Sequence, residues 1–152
     1  MPKRRILPAL AATFALALVT APATRAENTY LNSGKVLVGN FPFSEAVKVG
    51  NTLYLSGQIG LVPGTRNVIL GGIKEEGRQT MENVKTSLEA HGYSLSDVVK
   101  CTAMLADMTE WNAFNDVYRT YFQEGRYPAR SAFGATGLAF NARVELECIA
   151  SK

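Results

Sequence analysis

Histidine is almost absent: the 152 residues include one, His91. Cysteine is nearly as scarce, with only Cys101 and Cys148, and they do not form a CxxC pair. A structural zinc site needs a cluster of Cys and His, and a thiol nucleophile needs a nearby base, so these shortages argue against both. A basic surface is also missing. The net charge of +3 comes from the chain's start, since residues 1–26 hold Lys3, Arg4, Arg5 and Arg25 and no acid. The remaining body has 12 bases and 13 acids, a balance of −1. It carries no basic stripe interleaved with aromatics, which counts against nucleic-acid binding. No internal repeat is present. With 47% hydrophobic and 19% charged residues, the composition is that of one packed globular domain.

What is present begins with a leader. Lys3-Arg4-Arg5 precedes Ile6–Ala23, an uncharged and mostly apolar run interrupted by Pro8, with small residues at Ala21-Pro22-Ala23 and Ala26. This is the layout of a secretory signal peptide over residues 1–26, with a mature domain over 27–152. An N-terminal membrane anchor is the alternative, and the run is short for a span. Arg4-Arg5 alone does not establish twin-arginine export. The expected location is periplasmic or secreted. An oxidising compartment would permit a Cys101–Cys148 disulfide, although two buried thiols acting as small hydrophobes are the preferred expectation.

Further along, Glu27–Lys35 reads as loose and polar, and Val36–Val38 as a short strand. Ala46–Val49 and Thr52–Ser56 flank the hairpin signal Gly50-Asn51. From Ile73 to His91 the positions Ile73, Gly77, Met81, Val84 and Leu88 form one helical stripe, and Gly92 follows as a stop. Val98–Ala106 reads as a strand with Val99, Cys101, Ala103 and Leu105 on one side. A second helix is expected from the N-cap Thr109 to Gly125, with Trp111, Phe114, Val117, Tyr118, Tyr121 and Phe122 on its apolar face. Ser131–Ala135 and Arg143–Ala150 close the chain as strands. Two helices against about five strands imply an α+β layer with both helices on one face of the sheet.

The stretch Tyr127–Ala150 carries the chemistry. Arg130 is the only charge between Ala129 and Ala142, and Glu145 and Glu147 follow in the last strand. In that strand Val144, Leu146, Cys148 and Ala150 share one side, while Arg143, Glu145, Glu147 and Ile149 share the other. A guanidinium among small residues suits a small carboxylate, and a strand carboxylate can handle water or a proton. The competing assignments are a structural ion pair for Arg130 and solvated carboxylates for Glu145 and Glu147.

Together these residues resemble the Rid family (reactive intermediate deaminases, YjgF-like or endoribonuclease L-PSP-like proteins). The matching pieces are Pro42–Val47, Gly50-Asn51, Leu55–Ile59, Gln79–Val84, Asp97–Lys100, Tyr127–Ser131 and Val144–Ala150. The resemblance spans about Gly39 to Ala150 and excludes the leader. It implies a chorismate-mutase-like (bacillar type) protomer and a homotrimer with a central barrel and sites between subunits. It also implies hydrolysis of enamine/imine intermediates to 2-keto acids and ammonia, with no metal and no cofactor. Arg130 aligns with the family's carboxylate-binding arginine and Glu145 with its acidic residue. The resemblance further marks Phe43 as an aromatic cover, Gly57 as a close backbone approach, and Asn115, Ser131 and Ala132 as substrate contacts. Where some members carry Cys this chain has Ala132, so no thiol chemistry is assigned there. A trimeric binding protein for small 2-keto or amino acids is the second hypothesis, and an endoribonuclease or translation inhibitor the third.

Overall fold

The structure is a computed structural model describing residues 27–152. The proposed signal peptide lies outside the described residues. Seven strands form one mixed sheet: β1 (Asn28–Leu31), β2 (Ala46–Val49), β3 (Thr52–Leu55), β4 (Gln58–Ile59), β5 (Val98–Leu105), β6 (Ala129–Gly134) and β7 (Val144–Ser151). Two helices, α1 (Ile73–Ala90) and α2 (Trp111–Tyr118), pack on it. The order across the sheet is β1-β2-β3-β7-β5-β6, with β4 also paired to β7. Only β5 and β6 run parallel; the other pairs are antiparallel.

The core lies between sheet and helices, and the strand alternation sets it. Val144, Leu146, Cys148 and Ala150 of β7 are buried against Met81, Val84 and Leu88 of α1 and Phe114 and Tyr118 of α2. The stripe expected on the first helix is therefore its buried face, with Ile73 and Gly77 included. Gly92 ends α1 with φ 80°, a left-handed conformation that costs glycine little. Its amide donates to Glu89 O and that of Tyr93 donates to Leu88 O, closing the last turn as a Schellman motif. Polar residues on α1 anchor the sheet. The Asn83 amide, wholly buried, donates to the carbonyls of Ile59 and Leu61 at 2.8 Å each.

Several local expectations are corrected. The first strand is Asn28–Leu31, within the segment read as loose, and Val36–Val38 is not a strand. Pairing with β2 orders this polar segment, which periodicity alone does not reveal. In β5 the register shifts between Val98 and Lys100, so Val98 is buried and Val99 is 49% exposed. A bulge flips side chains between faces, so strict alternation fails at this point. The second helix is capped by Asp107, whose carboxylate accepts from Thr109 N, and it opens with a 3-10 turn at Met108–Glu110. Its α-helical part stops at Tyr118 and continues as a 3-10 turn over Arg119–Tyr121.

The cysteines are also corrected. Cys101 and Cys148 are directly opposed in the β5–β7 register and form a disulfide. Both sulfurs sit in the core as expected of hydrophobes, but register brings them together, and register is not visible in the spacing of the two residues.

Candidate functional site

Arg130 lies on β6, an edge strand, opposite Cys101 of β5. Cys101 faces the helices, so Arg130 does too, and it lies beneath α2. Its guanidinium carbon is 4.3 Å from the centroid of the Tyr118 ring and 4.7 Å from that of Trp111. The planar cation is thus stacked against an aromatic wall. Asn115 Oδ1 accepts a hydrogen bond from Nη2. Nη1 is buried and has no hydrogen-bond partner among the described residues. Burial lowers the arginine's pKa, with Tyr118 opposing, and it pushes the Tyr118 hydroxyl up to about 12 despite the neighbouring guanidinium. A guanidinium with one arm held and one buried arm free can accept a carboxylate. It opens onto a shallow depression shared with Tyr127 and Pro128.

Glu145 is on the opposite face of the sheet. It follows Val144 and precedes Leu146, both buried toward the helices, so its own side chain points away from them. A register change places it beside Gly57. Tyr54 pairs with Ile149, but Gln58 pairs with Leu146, which leaves one extra residue on the β3–β4 side at Ser56-Gly57. Such a bulge re-aims the chain where a side chain must come close. A Cβ on Gly57 would lie 1.9 Å from Glu145 Oε1, so only glycine allows the carboxylate to rest there. Burial raises the pKa of Glu145 above the ordinary carboxylate value, and Glu147 adds to the rise. A half-buried carboxylate with a raised pKa is a stronger base than an exposed one.

Above Glu145 lies a cavity of about 280 Å³, lined by Phe43, Gly57 and several apolar side chains. Phe43 is 50% exposed at its rim. Glu45, at its margin, is tied up structurally: its carboxylate accepts from Ser33 N and Ser87 Oγ and lies 3.4 Å from His91 Nε2. Burial alone would raise its pKa, but the Ser87 and Ser33 hydrogen bonds and His91 bring it below the ordinary value.

The residues expected at one site therefore divide into two groups. Arg130 and Asn115 sit together on the helix face, and Ala132, opposite Ala103, packs toward the core on the same side. Glu145, Gly57 and Phe43 sit together elsewhere. Ser131 is beside Arg130 in sequence but on the other face of β6, where its hydroxyl accepts from Lys100 Nζ at 2.8 Å. The sequence reading missed Asn83 and Glu76. Glu76 accepts from the amides of Arg143 and Val144 and so anchors the start of the strand carrying Glu145. A buried carboxylate on a helix looks like any solvated helix glutamate until the partner strand is in place.

A mixed sheet layered on one face by two helices places the chain among chorismate-mutase-like α+β proteins. Within that class it belongs to the Rid (YjgF-like) family: the family model described as endoribonuclease L-PSP matches residues 35–152. A 2-iminobutanoate/2-iminopropanoate deaminase of Mus musculus is 44% identical over 109 residues, covering 72% of this chain and 80% of the mouse protein. The crystal structure of RidA from an Antarctic Psychrobacter superposes with a TM-score of 0.76 at 37% identity, covering 82% of this chain and 99% of that one. Escherichia coli TdcF, solved with bound serine, superposes with a TM-score of 0.74 at 27% identity, over 82% and 98% of the two chains.

Proposed function

We propose that the protein hydrolyses 2-imino acids of the 2-iminobutanoate/2-iminopropanoate type, and their enamine tautomers, to 2-keto acids and ammonia. The observation that carries this is the presence in one chain of two tuned groups: a stacked guanidinium with an unpartnered buried Nη1, and a carboxylate whose pKa burial raises. Binding alone would require only the first. Arg130 grips the substrate carboxylate and orients the imine carbon. Glu145 takes a proton from water as the oxygen attacks that carbon, giving a tetrahedral carbinolamine. Glu145 delivers that proton to the nitrogen, which becomes NH2, and then relays the hydroxyl proton to the same nitrogen as the C–N bond breaks, ammonia leaves and the C=O bond forms. The names of relatives such as the mouse deaminase support this reading.

The two groups lie on opposite faces of one protomer's sheet, so a complete site requires a second copy. We infer a homotrimer in which the β6 edge of one copy brings Arg130 toward Glu145 of the next. Tyr54 and Phe133 are exposed on the sheet face away from the helices, and their burial against another copy would support this assembly. We also infer export to an oxidising compartment, which the leader and the disulfide support. Imines would there come from amino-acid oxidation outside the cytoplasm.

The test uses the chain from Glu27 and an amino-acid oxidase, with semicarbazide trapping surviving imine. Suppression of the semicarbazone signal by the wild type, and its loss in Arg130→Ala, is expected. No suppression of any imine would refute the enzyme reading. A non-catalytic trimer binding small amino or keto acids is the second reading, favoured by the serine held in TdcF. Calorimetric binding without turnover would establish it.

A further inference from the structure

We propose that Phe140 determines substrate specificity. It closes an apolar subsite beside Glu145 that selects 2-imino acids with branched or aromatic side chains over methyl-bearing 2-iminopropanoate and over acidic ones. This rests on the imine-hydrolase reading above and names the substrate class within it.

Phe140 lies in the 3-10 turn Ala139–Asn141 that leads into β7, close before Glu145 in sequence, and it lines the Glu145 cavity. Its backbone is unusual. Phe140 has φ 55° and Asn141 φ 56°, two successive non-glycine residues in the left-handed region. Asparagine tolerates that region, but a bulky aromatic rarely occupies it. The turn is held by hydrogen bonds from Asn141 N to Leu138 O and from Ala142 N to Ala139 O. Buried Ala142 packs with Ile59 and Leu61. The surroundings thus hold Phe140 in a conformation its own sterics disfavour, while the residue remains 44% exposed and lines the cavity. Strain maintained at a cavity wall, with no burial of the ring to account for it, indicates a use for the ring.

The remaining walls give the chemistry. Val36, Leu37, Phe41 and Phe43 face the same space, and the Phe41 and Phe43 rings lie 5.3 Å apart. No lysine or arginine lines the cavity, whereas two carboxylates, Glu45 and Glu145, do. With Arg130 of the next copy taken up by the substrate's own carboxylate, an acidic side chain would enter against two like charges, and an apolar one would meet the hydrocarbon and ring faces that make up most of a wall also carrying Ser56 and Gln58. Size points the same way. The cavity of about 280 Å³ has room for far more than a methyl group.

The experiment compares kcat/KM for imines made in situ from alanine, leucine, phenylalanine and glutamate by amino-acid oxidases of either stereochemistry, since the imine carbon is achiral. The leucine- and phenylalanine-derived imines are expected to exceed the alanine- and glutamate-derived ones by about 10-fold or more. Phe140→Gly removes the ring and adopts φ 55° without strain, so folding is retained. It is expected to collapse the leucine-to-alanine ratio by about 10-fold, while Phe140→Tyr, which keeps the ring, retains the ratio. Equal rates across imines, or an unchanged ratio in Phe140→Gly, would overturn the proposal. If the wild type consumes no imine, the deaminase reading fails, and the subsite is then judged by calorimetry with the 2-keto acids derived from leucine and alanine. Tighter binding of the larger acid, lost in Phe140→Gly, supports the subsite, and equal affinity refutes it.

Discussion

Replacing Gly57 with alanine isolates the contact that positions Glu145. The new Cβ would sit 1.9 Å from Oε1, 2.8 Å from the carboxyl carbon and 2.9 Å from Cγ of Glu145. Real Cβ contacts essentially never fall under 3.0 Å, so the carboxylate must retreat by about 1 Å. The obstructing atoms are the end of a flexible side chain, so the backbone need not move. Gly57 has no positive φ that alanine would strain. The cost therefore falls on chemistry. A misplacement of about 1 Å in a reacting group costs on the order of 100-fold, and kcat/KM for the preferred imine should fall by about that factor. Stability should change by less than about 1 kcal/mol, or about 2–4 °C in Tm. The assay is imine consumption in the semicarbazide competition, with calorimetric or circular-dichroism melting alongside. The effect should vanish in a Glu145→Gln background, because a displaced group that no longer works cannot be displaced further. Undiminished activity in Gly57→Ala would refute the claim that this contact sets the carboxylate. So would equal losses with and without Glu145.

Glu145→Gln should lower kcat/KM by about 100-fold or more, leaving a residual turnover that can be measured, yet raise Tm at neutral pH by no more than about 2–4 °C. Burial raises the pKa of Glu145 in the fold, so its charge destabilises the protein above that value. The Tm difference should disappear as pH falls below the ordinary glutamate value, which melts across pH will show. For the same reason the acid limb of kcat/KM should have its midpoint above the ordinary glutamate value, since the deprotonated form is the base. Arg130→Lys keeps the charge but loses the planar fork and the stacking on Trp111 and Tyr118; kcat/KM should fall by about 100-fold or more, with melting little changed. Reducing the Cys101–Cys148 bridge, with its sequence separation of 47, should cost about 4 kcal/mol by the chain-entropy relation. A Tm lower by about 10 °C in reductant is expected, and an unchanged Tm would show that the bridge adds nothing to stability.

How much was legible from sequence depended on the range of the interaction. The stripe Ile73–Leu88, the stop at Gly92 and the alternation Val144–Ala150 follow local periodicity and steric rules, and each occupies its expected place. The first strand was missed because its order comes from pairing with Ala46–Val49. Val99 was assigned to the wrong face because a bulge interrupts the alternation. Asp107 rather than Thr109 caps the second helix, and both residue types cap well, so backbone geometry alone decides between them.

The sequence by itself determined the helix-on-sheet class, the family, and the two residues on which the proposed chemistry turns. These follow from residue type, period and motif order, all properties of neighbours along the chain. Tertiary structure decided that Cys101 and Cys148 are bonded, that Gly57 lies under Glu145, and that Arg130 and Glu145 occupy opposite faces of one sheet. Each of those depends on strand register. A shift of one residue in register reverses every side chain, and no local pattern in the chain specifies which strands meet or where.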